Sequence, residues 1–216
     1  MEVLTKLYDA VVAGVIENAG SLARLALDSG IDAATVLNRS LLPAMEEVGA
    51  RFERSEYYIP DMLIASQAMK NAMAVLDPVL ARSGVEPLGS VVMGTVKGDL
   101  HDIGKNLVAS LLEGNGFQVL DLGMDVSAER FVTAIKANKV DIAAMSALLS
   151  TSMLYMKEVI DALEREGLRN RVKIIVGGAP VTQAFAEEIG ADGYSDNANG
   201  AVILAKQLVP GLGDRS

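Results

Sequence analysis

The chain has 216 residues, half of them apolar, with 19 basic against 28 acidic side chains, a net charge of −9, no cysteine, no tryptophan and a single histidine. The acidic balance argues against nucleic-acid phosphate or an anionic membrane as main partner, and the lack of cysteine excludes disulfides, thiolate metal sites, iron–sulfur clusters and covalently held c-type haem. The N-terminus lacks the basic flank and uninterrupted apolar run of a signal peptide, and no stretch reaches about 18 consecutive apolar residues, so a cytoplasmic setting without a membrane span is expected.

From the N-terminus the apolar residues recur three and four apart, at Leu4, Leu7, Val11 and Val15 and then at Leu22, Leu25 and Ala26, which is helical spacing. A third helical segment, over 32–56, opens on Asp32 as a suitable N-cap and contains Pro43, which should kink or divide it. A fourth, over 60–84, starts with Pro60 in its first turn and stops at Gly84. Four helices with short connections predict a bundle over residues 1–88.

From 89 to 216 the pattern changes. Short runs rich in β-branched residues at 90–96, 118–123, 141–147 and 172–178, with a weaker one at 193–196, alternate with helical periodicity at 103–115, 127–138, 152–166, 180–190 and 198–209. Strands apolar on both faces, each followed by a helix, predict an α/β domain with a five-stranded parallel sheet, Rossmann-like and flavodoxin-like, covered on both sides. The domain boundary is expected near 84–89. Ligands of such sheets bind beyond the carboxyl ends of the strands, so the loops 97–104, 146–152 and 177–180 should converge on one edge.

The loop after the first strand, Lys97-Gly98-Asp99-Leu100-His101-Asp102-Ile103-Gly104, holds the only histidine. A neutral imidazole that binds a metal through one nitrogen usually donates its other N–H to a carboxylate. Asp99 can supply that carboxylate if the loop folds back, and Gly98 and Gly104 suit a sharply bent backbone that admits a large group. One protein ligand cannot hold a bare ion, so a metal on His101 must bring most of its coordination with it, as a tetrapyrrole-type cofactor does. In the loop after the third strand, Ser150 or Ser152 either caps a helix beginning near Met153 or, with Ser146 and Thr151, offers hydroxyls to a polar cofactor or to Asp99. Gly177 and Gly178 form either a tight strand-to-helix turn or a gap for a ligand beside the sheet. The first loop lacks G-x-G-x-x-G and the chain has no P-loop, which disfavours a dinucleotide or nucleoside triphosphate site.

Asp99-x-His101-x-x-Gly104, followed by Ser146-x-Leu148 and Gly177-Gly178, resembles the vitamin B12-binding signature of proteins that take cobalamin base-off, with histidine as the lower cobalt ligand. The resemblance implies that His101 binds cobalt, that Asp99 orients it, and that Ser152 acts as a relay hydroxyl on Asp99. It places Asp102, Ile103, Gly104, Ser146, Leu148 and Ser150 at the cofactor, with Ser150 standing where methionine synthase has threonine. Gly177, Gly178, Ala179, Asn197 and Ala198 would line the channel for the nucleotide tail. Residues 45–69 look like the helical cap above the upper corrin face in methionine synthase and in small corrinoid proteins of methanogens and acetogens. By that likeness Phe52 and Ile59 shield the methyl group, although methionine synthase has leucine at the latter position; without it, both read as bundle core.

The likeness spans nearly the whole chain and implies a stand-alone corrinoid protein of a methyltransferase system, a carrier with no catalytic residues of its own. Such a protein takes a methyl group onto Co(I) from a substrate-specific methyltransferase, holds it as methylcobalamin, and yields it to a second methyltransferase serving a pterin or coenzyme M. A reductive activase is the further partner implied. Co(I) prefers no axial ligand whereas methyl-Co(III) accepts one, so the His101 bond should form in one state and break in the other. Phe52 cannot cover the methyl and admit a partner at once, which implies a two-state hinge near 84–89. A B12-dependent regulator would need an output module, yet the chain ends soon after its last helix, at 207–216, without a basic recognition helix. The cobalamin subunit of a mutase shares the histidine loop but does not usually carry the cap.

Overall fold

The structure, a computed structural model, describes residues 2–84 and 86–209. Val85, within the expected connection, and the stretch 210–216 lie outside the described residues. The chain divides into two compact units, one comprising residues 1–87 with 113–116 and the other 88–112 with 117–216.

The helical unit is built from α1 (Glu2–Val12), α2 (Ile16–Asp28), α3 (Ala33–Val36), a π-helical turn (Leu37–Leu41), α4 (Leu42–Glu53) and α5 (Ile59–Arg82). Asp32 caps α3 by accepting the Thr35 N–H at 2.8 Å. The segment holding Pro43 is divided as expected, into α3 and α4 with the π-helical turn between them. Pro43 cannot donate to the carbonyl four residues back, and its ring crowds that carbonyl; the backbone answers with a wide turn, in which the Leu42 N–H reaches Leu37 O, and then resumes as α4. The helical spacing read from the apolar residues of α1 and α2 is borne out, and of them Leu7, Val11 and Ala26 are fully buried. Leu25 is exposed, as is Val15 between α1 and α2, while Ala19, Ala23 and Ala26 are fully buried. Their counterparts on α5 are Ala65, Ala68 and Ala72, also fully buried. Small side chains let two helix backbones approach closely: a Cβ on Gly20 would stand 3.3 Å from Asn71 O.

The second unit carries the parallel sheet: β1 (Ser90–Thr95), β2 (Gln118–Asp121), β3 (Ile142–Ser146), β4 (Lys173–Gly177) and β5 (Gly193–Ser195), in the order β2-β1-β3-β4-β5. The intervening helices are α6 (Ile103–Gly114), α7 (Ala128–Ala137), α8 (Tyr155–Arg165), α9 (Gln183–Ile189) and α10 (Ala198–Leu208). Val92, Ala143, Met145, Ile174 and Val176 pack in one cluster with Phe131 and Ile135 of α7 and Met156, Ile160 and Leu163 of α8. Chain order reverses between β1 and β3, which opens a crevice where their following loops part. Thr95 pairs with Ser146, Ser146 with Gly177 and Gly177 with Ser195, so these strands end level and their loops leave from a common line.

Candidate functional site

The loop after β1 folds back as its carboxylate requires. His101 Nδ1 lies 2.7 Å from Asp99 Oδ1, and the His101 backbone N–H donates to the same oxygen at 3.1 Å. The other oxygen, Oδ2, accepts the Ser152 hydroxyl at 2.6 Å and the backbone N–H groups of Leu148 and Leu149 at 2.7 and 3.2 Å. Asp99 is fully buried. Burial opposes its charge, but the bonds from Ser152, Leu148 and His101 outweigh burial and hold the carboxyl well below the usual carboxylate range. An ionised Asp99 only accepts, so in the neutral imidazole the ring proton sits on Nδ1 and Nε2 keeps a free lone pair. The imidazole is about half exposed, at 52%. The loop is pinned further by the buried Thr95 hydroxyl, which donates to His101 O at 2.9 Å, and by Asp125, whose carboxylate accepts the Gly98 N–H at 2.8 Å. Gly98 has φ +79°, a conformation open to glycine, and Asp125 itself sits at φ +51°.

Of the two readings open for the serines, capping or a bond to Asp99, Ser152 follows the second. The helix after β3 starts at Tyr155, with Leu154 at its N-cap and no side-chain capping bond. Ser152 is buried and spends its hydrogen on Asp99, a stronger acceptor than a helix end because it is charged. Ser146 ends β3 half-buried, and Ser150 is exposed in the turn.

Gly104 has ordinary helical geometry, so the expected sharp bend falls on Gly98 alone; a Cβ on Gly104 would meet no atom within 4 Å. Gly177 and Gly178 are required by the protein's own backbone. A Cβ on Gly178, at φ +124°, would fall 1.9 Å from Ala147 O, and one on Gly177 would fall 2.9 Å from Ser195 O. Ala179 is exposed beside them. Asn197 caps α10 by accepting the Gly200 N–H at 2.8 Å, and Ala198 opens that helix. In the helical unit Phe52 is half-buried near the end of α4, whereas Ile59, first residue of α5, is half exposed, contrary to a bundle-core position.

Four large apolar side chains stand exposed on the two loops that share Asp99: Leu100, Ile103, Leu148 and Leu149, with Ile103 reaching 86% exposure. An imidazole with a free lone pair, set in an apolar floor beside a glycine that leaves open space, suits a large flat group whose metal already has equatorial donors. Among the described residues no cluster of three or more His, Asp or Glu could hold a bare ion. The donors from Leu149 and Thr95 were not legible beforehand, because a backbone N–H has no residue code and Thr95 reads as an ordinary strand residue.

Comparison with known proteins agrees with this chemistry. Residues 89–203 match the B12 binding domain, and residues 3–77 match a second B12 binding domain model. The chain is 40% identical over 207 residues to the trimethylamine corrinoid protein of Methanosarcina barkeri, covering 95% of both chains. The crystal structure of a cobalamin-binding protein from Desulfitobacterium hafniense superposes with a TM-score of 0.79 at 33% identity, over 95% of this chain and 98% of that one. The methanol:cobalamin methyltransferase complex of Methanosarcina barkeri contains a chain that matches with a TM-score of 0.85 at 29% identity, over 97% of this chain and 80% of that one. The chain binds cobalamin and belongs to the family of B12-binding corrinoid proteins.

Proposed function

We propose that this corrinoid protein carries a methyl group between two methyltransferases, with His101 as the lower ligand of base-off cobalamin. The observation that carries the reading is the 2.7 Å contact between His101 Nδ1 and a buried, ionised Asp99, which fixes the tautomer that leaves Nε2 free. When bound, the cobalt supplies a centre that accepts and releases a methyl group. The protein's share is to hold and orient. Asp99 keeps the ring proton on Nδ1 and stabilises the imidazole as a donor. Ser152 holds Asp99 in place and takes part in any proton exchange at that carboxylate. Leu100, Ile103, Leu148 and Leu149 exclude water from beneath the corrin, and Phe52 and Ile59 are assigned to shielding the transferred methyl.

The similarity to a trimethylamine corrinoid protein and to a chain of a methanol:cobalamin methyltransferase complex supports a methyltransferase that loads the carrier. The unloading partner is assigned to a methyltransferase serving a pterin or coenzyme M, with a reductive activase restoring oxidised cobalt. His101→Ala tests the central bond. The variant should still bind cobalamin, more weakly, and its Co(II) paramagnetic resonance spectrum should lose the nitrogen superhyperfine splitting shown by the unaltered protein. An identical spectrum for both would exclude the ligand role.

A further inference from the structure

A second network reaches the histidine loop from the side of β2, and neither the Asp99 cluster nor the methyl-carrier reading makes use of it. Lys105, in the first turn of α6, is only 2% exposed. Its ammonium is bonded to the Asp121 carboxylate at the end of β2 and donates to Asn106 Oδ1 at 2.6 Å. The Asn106 amide donates in turn to Asp102 Oδ2 at 3.0 Å. The other oxygen of Asp121 accepts the Gly123 N–H at 2.8 Å, which fixes the carboxylate itself. Four linked side chains thus run from the strand end to the residue that directly follows His101.

Burying an ammonium is costly unless it is paired and hydrogen-bonded. Leucine or methionine would fill this place under α6 without that cost. What an apolar side chain cannot do is make a directional tie between the start of α6 and one chosen point on the sheet. Together with Asp99 and Thr95, the tie holds both flanks of His101: the ring and backbone N–H by Asp99, the carbonyl by Thr95, and the following residue by the Lys105 network. A bond to a metal centre demands placement to within about 0.5 Å, so the tautomer alone does not secure it.

We propose that Lys105 is a positioning residue for the lower ligand, holding His101 through Asp121, Asn106 and Asp102 at the height from which Nε2 meets cobalt. The inference rests on the reading of His101 as cobalt ligand, and the experiment separates the two. Cobalamin-loaded protein is reduced to Co(II), and the share of cobalt showing histidine nitrogen coupling is measured for the unaltered protein, Lys105→Met and Asn106→Ala. In cofactor-free protein, the single imidazole is followed by nitrogen-15 resonance. Lys105→Met should retain base-off cobalamin yet lose at least threefold in the ratio of histidine-bound to unbound cobalt. Asn106 is exposed, so Asn106→Ala folds regardless and should move the ratio the same way by a smaller factor. Without cofactor, the His101 Nδ1 proton should exchange with water at least tenfold faster in Lys105→Met. A ratio and an exchange rate unchanged in both variants would overturn the proposal. So would an unfolded Lys105→Met beside an Asn106→Ala that matches the unaltered protein. Absence of nitrogen coupling in the unaltered protein would instead remove the His101 reading, and this inference with it.

Discussion

Asp99 concentrates more of the site's bonding than any other side chain, and its behaviour with pH follows from those bonds. The unfolded carboxyl titrates near 3.9, whereas the folded one is held below that value because the donors from Ser152, Leu148 and His101 outweigh burial. Between the two values the unfolded chain binds more protons than the folded one. The stability due to Asp99 is therefore complete above about pH 5 and declines as pH falls below 4 toward the folded value. Asp99→Asn keeps the shape but loses the charge, and should cost roughly 2–3 kcal/mol at pH 7, since hydrogen bonds to a charged group are the strong ones. Urea unfolding at pH 7, 5 and 3 checks this: the gap between the two proteins should narrow on acidification, and a constant gap would deny Asp99 its depressed titration. The pairing of Asp99 with His101 was legible because the residues are two apart on a loop with a glycine at Gly98. The Thr95 hydroxyl and the Leu149 N–H were not, because both contacts exist only once strands and loops are assembled.

Among the elements, α6 carries in its first turn a glycine that local preference disfavours. Glycine in a helix costs up to about 1 kcal/mol relative to alanine, and at Gly104 no protein atom forbids a side chain. Gly104→Ala should therefore leave the cofactor-free protein as stable or up to about 1 kcal/mol more stable, while weakening cobalamin binding at least tenfold. Thermal unfolding and equilibrium dialysis measure the two effects, and unweakened binding would mean that the open space serves no ligand. The strands and helices of the α/β unit were readable because β-branched runs and helical spacing alternate cleanly; the starts of β1, β2, α6 and α10 fall where the sequence puts them. The start of α8 falls at Tyr155, later than the helical pattern from 152 suggests, while the alternative reading of Ser152 as partner of Asp99 holds. The helix α2 was legible from its spacing, but the burial of Ala19 and Ala23 was not, because alanine carries little apolar signal.

At the scale of the molecule, the chain divides into two compact units, and the proposed transfer between two enzymes requires the cargo to be alternately covered and offered. We expect residues 84–89 to act as the hinge for that change. A short cross-link joining the helical unit to the α/β unit should leave cobalamin bound and abolish methyl transfer, as followed by the visible spectrum with a methyl donor and its methyltransferase. Undiminished transfer would rule the hinge out. The class of each unit was legible from its period, three to four residues in the first and short strands in the second. The level ending of four strands was not, because register is set by pairing across the sheet rather than along the chain. That alignment gives the sheet a straight sill at Thr95, Ser146, Gly177 and Ser195, about 14 Å from end to end at normal strand spacing. Gaining or losing one residue within β3 would turn its inward side chains outward and step the sill by about 3.3 Å, so families sharing this platform should vary the lengths of their loops freely and those of these strands hardly at all.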